Sequence, residues 1–277
     1  MFRRSILRVS DSARAWGVPV PVAQVVFWTA LLGWLVLTAS LPVYQSLGSE
    51  GRWLYEQGYD LVMGEDGPIE WLQFACLLGA CLFATRIAVR SRGIESKGAR
   101  TALWTLAILL ALAVGEEVSW GQRIFGFQTP ADLEAINDQR ETTLHNLRGV
   151  RPFLNAALCL LGVAGFVFCG GLRRVGRGFT AARFAAVEQP PYFLAACFAT
   201  APLFWILRLT AATEPRFAAI RNGEWSELCL ALGLCGLLGL FARRPGIEAA
   251  VGTRASGGAA IDPRDPTPGP SDVRESA

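Results

Sequence analysis

The chain has 277 residues, 52% of them hydrophobic and 18% charged, with a net charge of +3 and a mean hydropathy of +0.34. Soluble domains usually carry about a quarter charged residues, so this composition disfavours a soluble enzyme or a nucleic-acid-binding module. The length accommodates a bundle of several membrane spans.

A bilayer core of roughly 30 Å takes about 20 apolar residues in helix. In chain order the candidates are Val22–Leu47, Ile69–Val89, Ala102–Val114 continuing into a polar end, Phe153–Leu172, Tyr192–Leu209, and Leu228–Ala242 with its preceding turn. They predict an all-α polytopic bundle of six transmembrane helices over residues 22–244, after a cytoplasmic N-terminus, 1–21. The Gly-, Pro-, Ser- and acid-rich stretch 245–277 reads as a disordered cytoplasmic tail. The third and sixth spans are short unless Glu116, Glu117, Glu224 and Glu227 join them, which draws acids to the membrane edge. The first apolar run is longer than a signal-peptide core, so an uncleaved first span is expected. Cys76, Cys81, Cys159, Cys169, Cys197, Cys229 and Cys235 all fall inside predicted spans and read as free packing thiols.

Basic residues near span ends stay cytoplasmic. With the N-terminus inside, the arginines flanking 86–100, 173–183 and 243–244 lie on that side, and most acids lie on the other. The expectation is a multi-pass protein of a bacterial inner membrane with both termini cytoplasmic; Lys97, the one lysine among 26 basic residues, hints at a GC-rich bacterial genome.

Between the third and fourth spans lies an extracytoplasmic segment, 115–151. Thr129 reads as an N-cap, Pro130 as the first helical position, and Asp132 as an acid near the orphan amides. From there Leu133, Ile136, Thr143, Leu144 and Leu147 form one stripe, and Asn137, Glu141, His145 and Arg148 the adjacent polar face. The expectation is an amphipathic helix on the outer membrane surface.

In its motifs, Gly115-Glu116-Glu117-Val118-Ser119-Trp120-Gly121-Gln122-Arg123 and Glu141-Thr142-Thr143-Leu144-His145-Asn146, the chain resembles a group of uncharacterised bacterial multi-pass membrane proteins. Gly67–Trp71 adds weaker support, and the resemblance implies no activity. A paired glutamate at a span end, followed by an arginine and later a histidine and asparagine, is also similar to the CAAX-type membrane proteases. This chain departs from them in its Glu-to-Arg spacing and its single histidine, so their chemistry is not carried over.

Ionisable groups at membrane depth are costly and therefore functional candidates. Glu116 and Glu117 are neighbours on a helix, separated by about 100°, so they face different ways. On a continuing helix Glu116, Ser119, Trp120 and Arg123 share a face, with Glu116 and Arg123 joined through Ser119 or a water, while Glu117 turns inward beside Glu70, Glu227 or His145. Glu141 and His145 stand one helical turn apart, a spacing that lets the carboxylate fix the ring's tautomer. Each has a plainer reading: a solvated helix end for the glutamate pair, a surface ion pair for Glu141 and His145. Glu70 and Glu227, each expected in the first turn of a span, complement the helix dipole, and Trp53, Trp71, Trp120 and Trp225 fit an aromatic belt.

The leading expectation is a membrane-embedded hydrolase or transferase whose site opens outward onto a lipid-linked or peptide substrate. Its catalytic candidates are Glu117, His145, Glu141 and Glu116; Arg123, Gln122, Asn146 and Trp120 would contact substrate, with Glu70 and Glu227 in support. The lone histidine excludes a two-histidine zinc site, and the cofactor is unknown, a divalent ion on Glu117 staying open. The expected partners are the bilayer and the substrate, with no nucleic acid. The alternatives are a non-catalytic structural or sensory subunit and an ion-coupled transporter.

Overall fold

A computed structural model describes residues 2–64, 67–91, 97–137, 141–145, 147, 149–170, 191–210 and 216–243. Within them the protein is all-α, and the isolated antiparallel bridge Asn137–Leu147 is the nearest approach to a sheet. The helices are α1 (Phe2–Ala15), α2 (Val20–Ser46), α3 (Ser49–Met63), α4 (Pro68–Arg90), α5 (Lys97–Glu117), α6 (Gln122–Phe125), α7 (Ala131–Ile136), α8 (Arg151–Gly170), α9 (Ala195–Thr210) and α10 (Arg216–Arg243). Short 3-10 turns occupy Ser119–Gly121 and Tyr192–Leu194. Among the described residues six segments are long and apolar enough to cross a membrane, which is the architecture of a multi-pass membrane protein.

The six expected spans are α2, α4, α5, α8, α9 and α10. The expected tail, 245–277, and the arginine-rich stretch 173–183 lie outside the described residues. Two further helices flank the first span. α1 buries Val9 and Ala13 while Arg3, Arg4, Arg8 and Arg14 stay exposed; Ser12 Oγ accepts the Tyr192 backbone amide at 2.8 Å. α3 lies against α2 through hydroxyls: Tyr44 donates to Glu56, and Ser40 meets Tyr59 at 3.0 Å.

The centre of the bundle is α10, where 50% of the spanning segment is inside the protein, against 11% for those of α5 and α8. α4 and α9 are its main packing partners; α5 packs on α4, and α8 and α2 pack on α9. One core joins Cys76, Leu77, Ala80, Ala84 and Leu110 to Ala231 and Leu238; the other joins Phe27, Phe193, Cys197 and Phe198 to Cys229 and Leu230. Small residues allow these close crossings: a methyl group at Gly33 would overlap the Trp225 ring, and one at Gly165 the Phe198 ring. All seven cysteines are free thiols.

Two boundaries matter for the site. α5 continues to Glu117, so both glutamates of the pair are helical. α10 begins at Arg216, so Glu227 lies well inside a helix rather than in its first turn, and the dipole explanation for its position no longer applies. Glu70 does lie in the first turn of α4.

Candidate functional site

The helix of α5 stops because the chain turns left-handed immediately after it. Ser119 and Trp120 adopt φ of 48° and 54°, and Gly121 follows at 90°. Positive φ is costly for residues with a Cβ, so two in succession require compensating contacts. Trp120 has two: its ring packs against Gly115, where a side chain would crowd it, and its Nε1 donates to Glu116 Oε1 at 2.6 Å. Gly121, at a φ that suits glycine, then starts α6.

This turn ties the two halves of the motif together. Glu116 Oε2 accepts the backbone amides of Leu144 (2.7 Å) and His145 (2.9 Å) and meets His145 Nδ1 at 3.0 Å. Ser119 Oγ, fully buried, donates to Glu141 Oε2 at 2.7 Å. Gln122 donates through Nε2 to Thr129 Oγ1 and accepts the Thr142 amide at Oε1, both at 2.8 Å.

Three expectations are corrected here. The amphipathic helix does not run from Thr129 to Arg148: α7 ends at Ile136, and Pro130, rather than Thr129, stands at its cap. Asn137 is the cause, since its side chain, 2% exposed, donates to Thr143 O (2.7 Å) and Oγ1 (3.1 Å), bonds that a helix continuing with Asn137 on a solvated face would forgo. Thr143 is therefore buried while Ile136 and Leu144 are exposed, and the expected stripe does not exist. Second, Glu141 does not orient His145; Glu116 does, and Glu141 is held by Ser119 instead. Third, Glu116, Ser119 and Arg123 share no helical face, because the left-handed turn resets the phase after Glu117. Trp120 contacts Glu116, as that shared face implied.

Glu117 turns inward, as expected. Gln73 Nε2, from α4, donates to its Oε1 at 2.7 Å, and Glu227, His145 and Glu70 all lie within coulombic range. The same Gln73 side chain also reaches Glu227, which Arg151 approaches with a positive charge. With Nδ1 held by Glu116, the second ring nitrogen of His145 is the one left for chemistry, and Glu227 and Glu117 lie within coulombic range of the ring. Burial disfavours the charged ring, but the Glu116 bond and the Glu227 and Glu117 carboxylates outweigh it and raise the His145 pKa above 6.5. His145 is 33% exposed and Glu116 15%, so this pair lies at the rim of the cluster.

Two crevices reach the acids. One, between α4 and α5, is lined by Glu70, Trp71, Phe74, Glu117 and Val118. The other opens among α8, α9 and α10, where Phe204, Trp205, Leu158 and Leu230 lead to Ser226 and Glu227. Among the described residues, no three carboxylate, imidazole or thiol groups are placed to hold a metal ion.

The structure thus gathers Glu116, Glu117, His145, Glu70 and Glu227 at one end of the bundle and gives Gln122, Trp120 and Glu141 bonds within the motif. Asn146 lies outside the described residues, and of Arg123 only the backbone, in α6, is described. Gln73 joins the site without belonging to either motif; its signal in the sequence is a polar residue one turn beyond Glu70 in an otherwise apolar run. No protein-family model, curated protein or solved structure matches the chain.

Proposed function

We propose that this chain is a membrane-embedded hydrolase or group-transfer enzyme whose site opens at the extracytoplasmic face of a bacterial inner membrane, with both termini cytoplasmic. Its substrate is a lipid-linked or peptide group met at the membrane interface. The observation that carries this reading is the double hold of Glu116 on His145, which fixes an imidazole within coulombic range of two further carboxylates, Glu117 of α5 and Glu227 of α10. The arginine distribution supports the orientation.

In this reading His145 takes a proton from the attacking water or hydroxyl as the new bond forms, and returns it to the leaving group as the old bond breaks. Glu116 is a positioning residue that selects the tautomer. Glu117 and Glu227 stabilise the positive ring in the transition state. Arg123 and Asn146 keep their expected role in contacting an anionic part of the substrate.

A non-catalytic scaffold or sensor is the second reading, favoured by the number of motif hydrogen bonds made within the motif itself. Complementing a deletion strain with H145A and E117A at wild-type membrane levels separates the two. The enzyme reading expects both variants to reproduce the altered lipid profile of the deletion in an untargeted comparison. A wild-type profile in both overturns it.

A further inference from the structure

We propose that α1 grips the membrane surface: its outward face, carrying Arg3, Arg4, Leu7 and Arg8, binds the headgroups of anionic phospholipids. This docking does not depend on the catalytic reading above.

α1 has two faces. Val9, Ser12, Ala13 and, just past its end, Trp16 are buried against the bundle. On the opposite side Arg3, Arg4, Leu7, Arg8, Asp11 and Arg14 recur at spacings of three and four, and all are exposed. Four arginines against one aspartate give the helix a net charge of +3. Arg14 pairs with Asp11 at 2.8 Å, so the excess charge falls on Arg3, Arg4 and Arg8 in the first two turns.

Contacts on the buried side fix the level of this face. Gln24, near the start of α2, donates through Nε2 to Ile6 O at 3.0 Å and to Ser10 Oγ at 3.1 Å. The Arg8 guanidinium stands 6.0 Å from the centre of the ring of Tyr192, the first residue of the fifth span. The middle of α1 is therefore level with the points where two spans enter the membrane, which is headgroup height, where basic side chains attract anionic lipids. Leu7, 51% exposed between the arginines, can enter the acyl boundary beneath them.

Charge at this end of the bundle is one-sided. Trp16 meets the Phe241 ring at 5.7 Å, and Arg90 donates to Ala242 O at 3.1 Å, so α1 shares its end with the exposed Arg90 and Arg243 that close α4 and α10. Of the described acids Asp11 alone lies here; Glu70, in the first turn of α4, is a helix length away. An anionic leaflet complements this surface in charge and supplies an apolar layer to Leu7. A nucleic acid would match the charge but offer no such layer.

The test is native mass spectrometry of the full-length protein released from nanodiscs containing phosphatidylglycerol and phosphatidylcholine in equal amounts. Retention of phosphatidylglycerol about tenfold above phosphatidylcholine is expected, and R3Q/R4Q/R8Q should bring the two close to equal. These side chains are exposed, so the variant keeps its fold. R3K/R4K/R8K retains the charge and should retain the preference, whereas L7N should weaken it about threefold. Equal retention of the two lipids by the wild type, a preference unchanged in R3Q/R4Q/R8Q, or a preference lost in the lysine variant overturns the docking. A glutamine variant that keeps the lipid preference but sheds a co-purifying protein assigns the face to that protein and overturns the lipid occupant.

Discussion

Glu116 Oε2 accepts both the backbone amide and the ring Nδ1 of His145, at 2.9 and 3.0 Å, across 29 residues of sequence. The ring nitrogen is charged only below its pKa, which is raised above 6.5. A raised histidine pKa stabilises the folded state fully below the unfolded value of 6.5, and that contribution is lost as pH rises through the folded value. Because the chain has one histidine, ring-labelled NMR reports it alone. The titration midpoint should lie above 6.5 and fall in E116Q. In the catalytic reading the base must be neutral, so activity rises with pH through the same midpoint, and the rise moves to lower pH in E116Q.

Ser119 is fully buried and donates to Glu141 at 2.7 Å. S119A should cost about 1–3 kcal/mol by removing a donor from a carboxylate, seen as a lower unfolding temperature in detergent and faster proteolysis within residues 126–145. S119T keeps the hydroxyl but places a β-branched residue at φ 48°, so it should also destabilise. A protein indifferent to both changes would show that the turn does not depend on this bond.

Gly121 stands at φ 90°, with the Phe125 ring close to where a Cβ would project. G121A should destabilise by about 1–2 kcal/mol. Because this residue ends the left-handed turn, hydrogen exchange should speed up at Leu144 and His145, whose amides depend on Glu116. Change confined to α6 would argue against that coupling.

Gly33 of α2 faces Trp225 of α10, whose Nε1 donates to Ala30 O at 3.2 Å. G33A should cost about 1–3 kcal/mol by overpacking. W225F frees some of the space, so the double variant should lose less than the sum of the single changes. Strict additivity in thermal unfolding would place the two residues out of contact.

The six spans were legible because a bilayer-length apolar run is a property of consecutive residues, and α5 and α10 needed only extension toward their polar ends. The inward turn of Glu117 was legible too, since neighbours on a helix must diverge. The segment after Glu117 was not. Its spacing assumed an unbroken helix from Thr129 to Arg148, whereas buried Asn137 favours bonds to Thr143 and ends α7 at Ile136.

What the sequence by itself determined is the bundle and the end of it where the acids collect, because hydropathy and helix phase are local. Only the tertiary structure decided which acid serves which partner. Ser119 and Glu141 lie 22 residues apart, Glu116 and His145 29, Gln73 and Glu117 44. At those separations the partner is chosen by a left-handed turn and by the packing of α4, α5 and α10, and neither is encoded in the spacing of residues along one helix.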